Sequence, residues 1–234
     1  MEPKHYVVAT IRPWNIACFH STISRLPGVW HLIQKPTDLN LATLTEIKPR
    51  YIFFPHWSDK VPVEIVSKYE CVCFHETDVP YGRGGSPLQN LIVRGHKETM
   101  VTALRMVNEF DAGPIYAKHP LSLLGLAEEI YIRTAEIVSK MIADIVTNEP
   151  TPKPQIGDPT VFNRRKPEDS RVPMNLTSLE SLFDYLRMLD AAEYPQAFLD
   201  YGRFRLTFTR PAFRTEKVEA TVTITCRPTK ENTE

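Results

Sequence analysis

Short apolar segments alternate with helical segments through the first 111 residues, and this alternation restricts the fold more than any other feature. Each apolar segment is rich in β-branched or aromatic residues and has the length of a buried strand. The four strongest are 6–11, 29–33, 51–54 and 71–74. The stretches between them carry apolar residues at helical spacing. Strands and helices that alternate in this way predict a doubly wound, mostly parallel α/β sheet.

The second half of the chain changes character at a proline-rich connector, residues 149–154. Runs of proline predict a linking segment rather than a helix or strand. Beyond the connector, residues 179–189 have the spacing of a helix, and 203–209 and 218–225 alternate like the strands of a β-hairpin. We therefore predict a small C-terminal α+β appendage, made of one helix and the hairpin.

These patterns divide the chain into two predicted parts. Residues 1–150 form a main Rossmann-like domain, and residues 151–234 form the connector and the small C-terminal subdomain.

One histidine and one aspartate follow predicted strands and precede loops rich in glycine and proline. His75 comes directly after the segment 71–74, and Asp111 follows the strand-like segment 101–106. An ionisable side chain beside such a loop is the usual layout of an active-site edge in an open α/β sheet. We expect His75 and Asp111 to converge in one crevice as a catalytic pair.

The residues around this pair resemble the formyltransferase family that uses 10-formyltetrahydrofolate. That family carries Asn-x-His at a strand end, a Pro-x-x-Arg-Gly loop, a helix start with a proline and a later Asp-x-Gly. The residues that match in order and spacing are His75, Pro80, Arg83, Gly84, Pro87, Asp111 and Gly113. The likeness covers roughly residues 50–200, and the stretch near residues 187–198 is most similar to sugar-nucleotide N-formyltransferases. The resemblance makes residues 1–150 the catalytic, folate-binding domain.

The resemblance also implies roles for the paired residues. His75 would polarise the formyl oxygen as it becomes negative, and Asp111 would set the tautomer of His75 and support removal of the amine proton. The family's Asn falls at Cys73, and a thiol is a poor hydrogen-bond donor. Either another donor, such as Asn90 or a backbone amide, replaces that Asn, or the chemistry is slow or absent.

Binding residues follow from the same resemblance. Trp57 and Ser58, after the third strand, could supply part of a slot for the flat pterin, although Trp57 could equally cover the core. The loop residues expected to approach the folate together with Asp111 are Arg83, Gly84 and Gly85. Arg164 and Arg165 could contact a nucleotide diphosphate or be a solvated charge run. Arg187 would lie near them, and Tyr194 could stack on a base or belong to the core.

The predicted reaction is transfer of the formyl group to a nucleotide-linked amino sugar, a UDP- or dTDP-4-amino-4,6-dideoxy sugar destined for surface polysaccharide. Two alternatives remain at this stage. One is formylation of a small ribosyl-phosphate amine such as glycinamide ribotide. The other is a folate-binding protein without catalysis, which the cysteine at position 73 motivates.

Composition adds expectations about partners and location. Lys+Arg and Asp+Glu are equal at 28 each, which argues against nucleic acid, including tRNA, and against a membrane as partner. The N-terminus lacks a signal-peptide pattern, so we expect a cytoplasmic protein. The spacing of the four cysteines does not match a metal site, so we expect free thiols and no bound metal. These cysteines are Cys18, Cys71, Cys73 and Cys226. The terminal hairpin could close a homodimer or cover a sheet edge.

Overall fold

A six-stranded mixed sheet forms the centre of the protein in the computed structural model, which describes residues 2–227. The strands of the chain are β1 (His5–Ala9), β2 (Val29–Ile33), β3 (Tyr51–Phe54), β4 (Cys71–His75), β5 (Arg83–Gly84), β6 (Glu98–Arg105), β7 (Ile115–Ser122), β8 (Val161–Phe162), β9 (Phe198–Tyr201), β10 (Phe204–Arg214) and β11 (Lys217–Cys226). The central sheet has the order β2-β1-β3-β4-β6-β7.

Within the described residues, six α-helices accompany these strands. They are α1 (Pro13–Ser21), α2 (Leu41–Ile47), α3 (Val63–Lys68), α4 (Pro87–Val93), α5 (Ala127–Asn148) and α6 (Leu179–Arg187), with short 3-10 helices at Ile23–Arg25, Pro36–Asp38 and Pro167–Ser170. The helix starts follow ordinary capping chemistry. Pro13 occupies the first turn of α1, and the Asn40 side chain caps α2 by accepting a hydrogen bond from the Thr43 amide at 3.0 Å.

Strand direction changes halfway across the sheet. Strands β2, β1, β3 and β4 are parallel to one another, whereas β6 is antiparallel to β4 and β7 is antiparallel to β6. All four residues of β3 are buried, as expected for a parallel strand that is covered on both faces. The predicted doubly wound, mostly parallel α/β fold is confirmed, and the reversal at β6 is the feature that the sequence patterns missed.

The chain separates into two compact units. The first comprises 1–87, 98–122 and 131–163 and contains the central sheet; the second comprises 88–97, 123–130 and 164–234. The second unit contains a three-stranded antiparallel sheet in the order β11-β10-β9, and α6 packs on β10 and β11. This sheet and helix are the predicted C-terminal appendage. The division into separate domains at residue 150 stays a prediction.

The proline-rich connector is more ordered than its composition indicated. Within the first unit, the Ile115 and Lys153 backbones exchange hydrogen bonds of 2.7 and 2.8 Å, and β8 pairs with β5. The hydrogen bonds exist because the non-proline residues of the connector offer amides and carbonyls in extended conformation. The connector therefore runs along loops of the first unit as a paired segment.

Two features are absent from residues 2–227. No helix there is long and apolar enough to cross a membrane. No group of three or more His, Cys, Asp or Glu side chains in that range is arranged to hold a metal ion.

Candidate active site

The His75 imidazole is nearly buried at the carboxyl end of β4, and a backbone carbonyl determines its tautomer. Its Nε2 lies 2.8 Å from the Gly82 carbonyl oxygen. A carbonyl oxygen can only accept a hydrogen bond, so Nε2 carries a proton in this arrangement. In the neutral ring, the other nitrogen, Nδ1, is then the one with a free lone pair.

The Asp111 carboxylate lies beside that second nitrogen. The distance from His75 Nδ1 to Asp111 Oδ2 is 3.7 Å, so the two side chains converge as expected. Oδ2 also accepts a hydrogen bond of 2.9 Å from the Gly84 amide, which holds the carboxylate in place. The Gly82 carbonyl favours a proton on Nε2, and the expected influence of Asp111 on the tautomer of His75 stays a prediction. The catalytic roles of both residues stay predictions.

Asp111 reaches His75 by a longer route than the sequence indicated. Because β6 is antiparallel to β4, the loop after β6 begins at the amino end of β4, where the Met106 amide donates to the Cys71 carbonyl at 2.8 Å. The loop then folds back toward His75. Asp111 itself has φ 54°, in the left-handed region that Asp tolerates better than most residues.

Gly84 is required by close approach of two backbone segments. It has φ +98°, and a Cβ placed there would lie 2.5 Å from the Phe162 carbonyl oxygen. Only glycine satisfies both conditions without strain. The amide that contacts Asp111 thus belongs to a residue whose position is determined by packing against β8.

Cys73 lies on the same strand as His75, two residues earlier, so the two side chains point to the same face of the sheet. Burial raises the pKa of the Cys73 thiol strongly, and the charge of Asp111 raises it further. A thiol that stays protonated is a weak nucleophile and only a weak hydrogen-bond donor. No acyl-enzyme chemistry is therefore expected at this position.

Trp57 and Ser58 follow β3, as predicted. The Trp57 ring packs edge-on against Phe54 with ring centroids 6.2 Å apart, and it contacts the apolar cluster that Cys73 and Met106 also contact. The Trp57 indole nitrogen is buried and has no hydrogen-bond partner among the described residues. Arg12 Nη2 lies 3.5 Å from the Ser58 hydroxyl. The assignment of both residues to a folate slot stays a prediction.

Arg83 is committed to the protein rather than to solvent. Its guanidinium donates to Gln155 Oε1 from Nε at 3.1 Å and from Nη2 at 2.9 Å, and it pairs with Glu109 at 3.4 Å. The neighbouring Gly85 amide donates to the Phe162 carbonyl at 3.1 Å. Of the two roles considered for Arg83, these contacts favour orientation of the loop over contact with the folate tail.

The residues expected to hold a nucleotide diphosphate do not act as a group. Arg187 is 2% exposed, and its guanidinium donates to the Leu123 and Gly125 carbonyls at 2.6 and 2.8 Å. Arg187 therefore has a structural role, and few of its guanidinium N–H groups are left to donate to a phosphate. Arg165 donates to the Tyr185 hydroxyl at 3.0 Å, whereas Arg164 is exposed.

The two remaining predicted residues have local contacts within the second unit. Tyr194 is half-buried and lines a cleft together with Asp190 and Arg210. Asn90 accepts a hydrogen bond of 2.8 Å from Arg94 on the next turn of α4. The proposal that Asn90 replaces the family's Asn stays a prediction.

Sequence reasoning missed two residues near the pair. Gln155, the residue after the proline-rich connector, donates to the Asp111 and Gly113 carbonyls at 2.7 and 2.8 Å. Glu76 is 8% exposed directly after His75, and its buried carboxyl interacts with the charges of His75 and Asp111. Glu76 lies between His75 and Thr77, which are both buried, and this position could have indicated that Glu76 is buried as well. Nothing in the local sequence distinguished Gln155.

Glu76 gives a prediction about stability and pH. Burial raises the pKa of Glu76 above its ordinary value of 4.5, so the folded protein binds this proton more tightly than the unfolded chain does. Ionisation of Glu76 therefore costs stability as the pH rises above about 4.5. We expect Glu76→Gln to gain stability relative to wild type between pH 5 and 7, with the gain shrinking toward pH 4, in urea unfolding curves. The exposed Glu46→Gln is the control, and a pH-independent difference for Glu76→Gln would contradict the burial argument.

Comparison with known proteins gives the site its family. A methionyl-tRNA formyltransferase from Clostridium thermocellum has 41% sequence identity, covers 96% of this chain and 100% of its own, and superposes with a TM-score of 0.91. The chain belongs to the formyltransferase family. The domain family described as "Methionyl-tRNA formyltransferase, C-terminal domain" matches residues 167–225 of this formyltransferase.

A second methionyl-tRNA formyltransferase is similar to this chain over part of its own length. The methionyl-tRNA formyltransferase of Thermodesulfovibrio yellowstonii is 27% identical over 163 residues, which is 66% of this chain and 53% of that protein. The chain thus spans about half the length of the curated relatives it matches. The predicted membership of a folate-dependent formyltransferase family is confirmed.

The predicted acceptor is wrong. The similar proteins are named as methionyl-tRNA formyltransferases, which contradicts a nucleotide-linked amino sugar, a place in polysaccharide synthesis and the exclusion of nucleic acid. A sugar N-formyltransferase from Shewanella is 15% identical with a TM-score of 0.70, a likeness that shows the fold alone. The error over nucleic acid arose because a net charge of zero does not describe how charges are distributed over a surface.

Proposed function

We propose that this protein transfers the formyl group of 10-formyltetrahydrofolate to the amine of an aminoacyl-tRNA, namely methionyl-tRNA. The observation that carries the proposal is the pair formed by His75 Nδ1 and Asp111 Oδ2, 3.7 Å apart. The acceptor follows from the names of the relatives, above all the relative that covers 96% of this chain at 41% identity.

The pair supplies the two functions that acyl transfer to an amine requires. Protonated at Nδ1, His75 can donate a hydrogen bond to the formyl oxygen as negative charge develops there. Asp111 can accept the proton that the attacking amine loses, and it stabilises a positive His75 meanwhile. Because Nε2 is hydrogen-bonded to the Gly82 carbonyl, Nδ1 is the nitrogen that is available for the reaction.

The residues present fit a folate as formyl donor. When bound, it would supply the formyl group on its N10 nitrogen. Trp57 offers a flat apolar surface and a buried indole N–H without a partner among the described residues, which suits a pterin carbonyl or ring nitrogen. Cys73 and Met106 add apolar surface against the same cluster.

A tRNA partner requires exposed positive charge, which the second unit contains locally. Arg164, Lys166 and Arg203 are exposed, and none of them forms an ion pair with another residue of the described range. Charges act on a phosphate only within about a Debye length, ~8 Å at physiological salt, so individual exposed cations can bind RNA even on a protein without net charge. These three side chains are our candidates for contacts to the tRNA backbone.

The direct test is formylation of initiator methionyl-tRNA by the purified protein with 10-formyltetrahydrofolate, followed by mass spectrometry of the released amino acid. We expect formylmethionine, in a yield that falls steeply as salt rises, because each phosphate contact releases counterions. Uncharged tRNA and free methionine are the matched negative substrates. Folate binding without transfer to any charged tRNA would overturn the proposal.

Cys73 allows a test of the missing donor. We expect Cys73→Asn to raise kcat by about tenfold, because a carboxamide N–H at this position would stabilise the formyl oxygen better than a thiol does. Cys73→Ser is the control for size and weak hydrogen bonding. An unchanged or lower kcat for the Asn variant, in a protein with wild-type Tm, would mean that another group already fills the role.

A further inference from the structure

Residues 151–162, which run from the proline-rich connector through β8, contact both loops that carry the candidate active site. On the His75 side, the Thr160 amide donates to the Pro80 carbonyl at 3.1 Å, and β8 pairs with Gly84 on β5. On the Asp111 side, Lys153 exchanges backbone hydrogen bonds with Ile115. All of these residues lie in the first unit.

The side chain of Gln155, within residues 151–162, joins the two loops directly. Gln155 Nε2 donates to the Asp111 carbonyl at 2.7 Å and to the Gly113 carbonyl at 2.8 Å. Its Oε1 accepts from Arg83 Nε at 3.1 Å and Nη2 at 2.9 Å. Both amide protons and both lone pairs of the carboxamide are therefore in use, and the side chain is half-buried.

Asp111 needs such support because its loop is long and its backbone is strained. The loop folds back from the end of β6, and Asp111 has φ 54°. A non-glycine residue in the left-handed region is strained and keeps its conformation only when its surroundings determine it. The described contacts that hold Asp111 are the Gly84 amide at its side chain and Gln155 at its carbonyl.

We propose that Gln155 is a positioning residue for the formyl-transfer reaction: it joins the Asp111 loop to Arg83 and thereby aims the Asp111 carboxylate at His75 Nδ1. This inference rests on the proposed function for its kinetic consequence. The geometric part, that Gln155 controls the environment of His75 Nδ1, can be tested without any turnover.

The consequences differ from those of a residue that merely stabilises the fold. Loss of Gln155 should leave His75 bonded to Gly82 through Nε2 but let Asp111 move away from Nδ1. Chemistry would slow, while binding of folate and of the amine acceptor would change little. In kinetic terms, kcat falls and KM stays nearly constant.

The experiment compares Gln155→Leu and Gln155→Glu with Ile156→Ala, a neighbouring control whose side chain is 91% exposed. Gln155→Glu keeps oxygen acceptors for Arg83 but loses the donors to the Asp111 loop, so it serves as the second variant if Gln155→Leu folds poorly. The measurements are Tm, kcat and KM, and the 15N chemical shifts of His75 at one fixed pH, assigned by comparison with His75→Gln.

We expect about a tenfold lower kcat for both Gln155 variants and a wild-type kcat for Ile156→Ala. In both Gln155 variants, the 15N chemical shift of His75 Nδ1 should move toward the value that it has in Asp111→Asn. Adding Gln155→Leu to Asp111→Asn should cause no further change in this shift. An Nδ1 shift identical to wild type in both Gln155 variants would overturn the inference, whatever the activity. The expected shift change in a protein without formyl transfer would uphold the positioning and reject only the proposed function.

Discussion

His75→Gln and Asp111→Asn should each lower kcat for formyl transfer by about 10²–10³-fold, the usual cost of removing one group that stabilises developing charge in an acyl transfer. His75→Gln removes the imidazole whose Nδ1, in the proposed reaction, donates to the formyl oxygen as negative charge develops there. Asp111→Asn removes the charge 3.7 Å from that nitrogen and the base for the amine proton. Steady-state kinetics with methionyl-tRNA as the acceptor measure both losses.

The two losses should not add. Because the residues act as a unit, the double variant should lose about as much as either single variant. His20→Gln and Asp158→Asn, both exposed, are the controls for the same chemical changes and should keep wild-type rates. A variant of His75 or Asp111 with a native Tm and a wild-type kcat would remove the pair from the mechanism.

Gly113→Ala should lower the free energy of unfolding by about 3 kcal/mol, the upper part of the range for overpacked cores. A Cβ at Gly113 would overlap the Arg105 carbonyl oxygen. That oxygen belongs to the backbone of β6, so either the end of β6 or the loop that carries Gly113 must shift to admit the methyl group. Urea unfolding of the variant and the wild type measures the difference.

Gly202→Ala is the matched control for Gly113→Ala. Gly202 has φ +57°, and nothing lies within 4 Å of an added Cβ, so its variant should lose only the roughly 1 kcal/mol of the left-handed conformation. Equal stabilities for the two variants would show that the contact at Arg105 is not close enough to matter.

The fold could be predicted well where local patterns are strong. The strands β1 to β4 and the helices between them follow from short apolar runs, helical spacing and ordinary caps. The direction of β6 relative to β4 was harder to predict, because the sequence pattern of a strand is the same in parallel and antiparallel pairing. A sequence pattern reports burial and periodicity but not the register or orientation of a pairing between distant segments.

The candidate site could be predicted in part. His75 and Asp111 stand out because each follows a strand and opens a loop rich in glycine and proline. Arg187 ends α6, and nothing in the local sequence indicates that the fold buries its guanidinium against two carbonyls. Zero net charge likewise gave no information about the local charges that a tRNA would meet.

The sequence by itself determined that strands and helices alternate, that an imidazole and a carboxylate follow two of the strands, and that a thiol stands where the family has a carboxamide. The tertiary structure alone decided which nitrogen of His75 is free and how Asp111 reaches it. The reason is physical: the Gly82 carbonyl, the Gly84 amide and Gln155 act through contacts between segments distant along the chain. Such contacts depend on how the loops fold together, and no local pattern of residues records them.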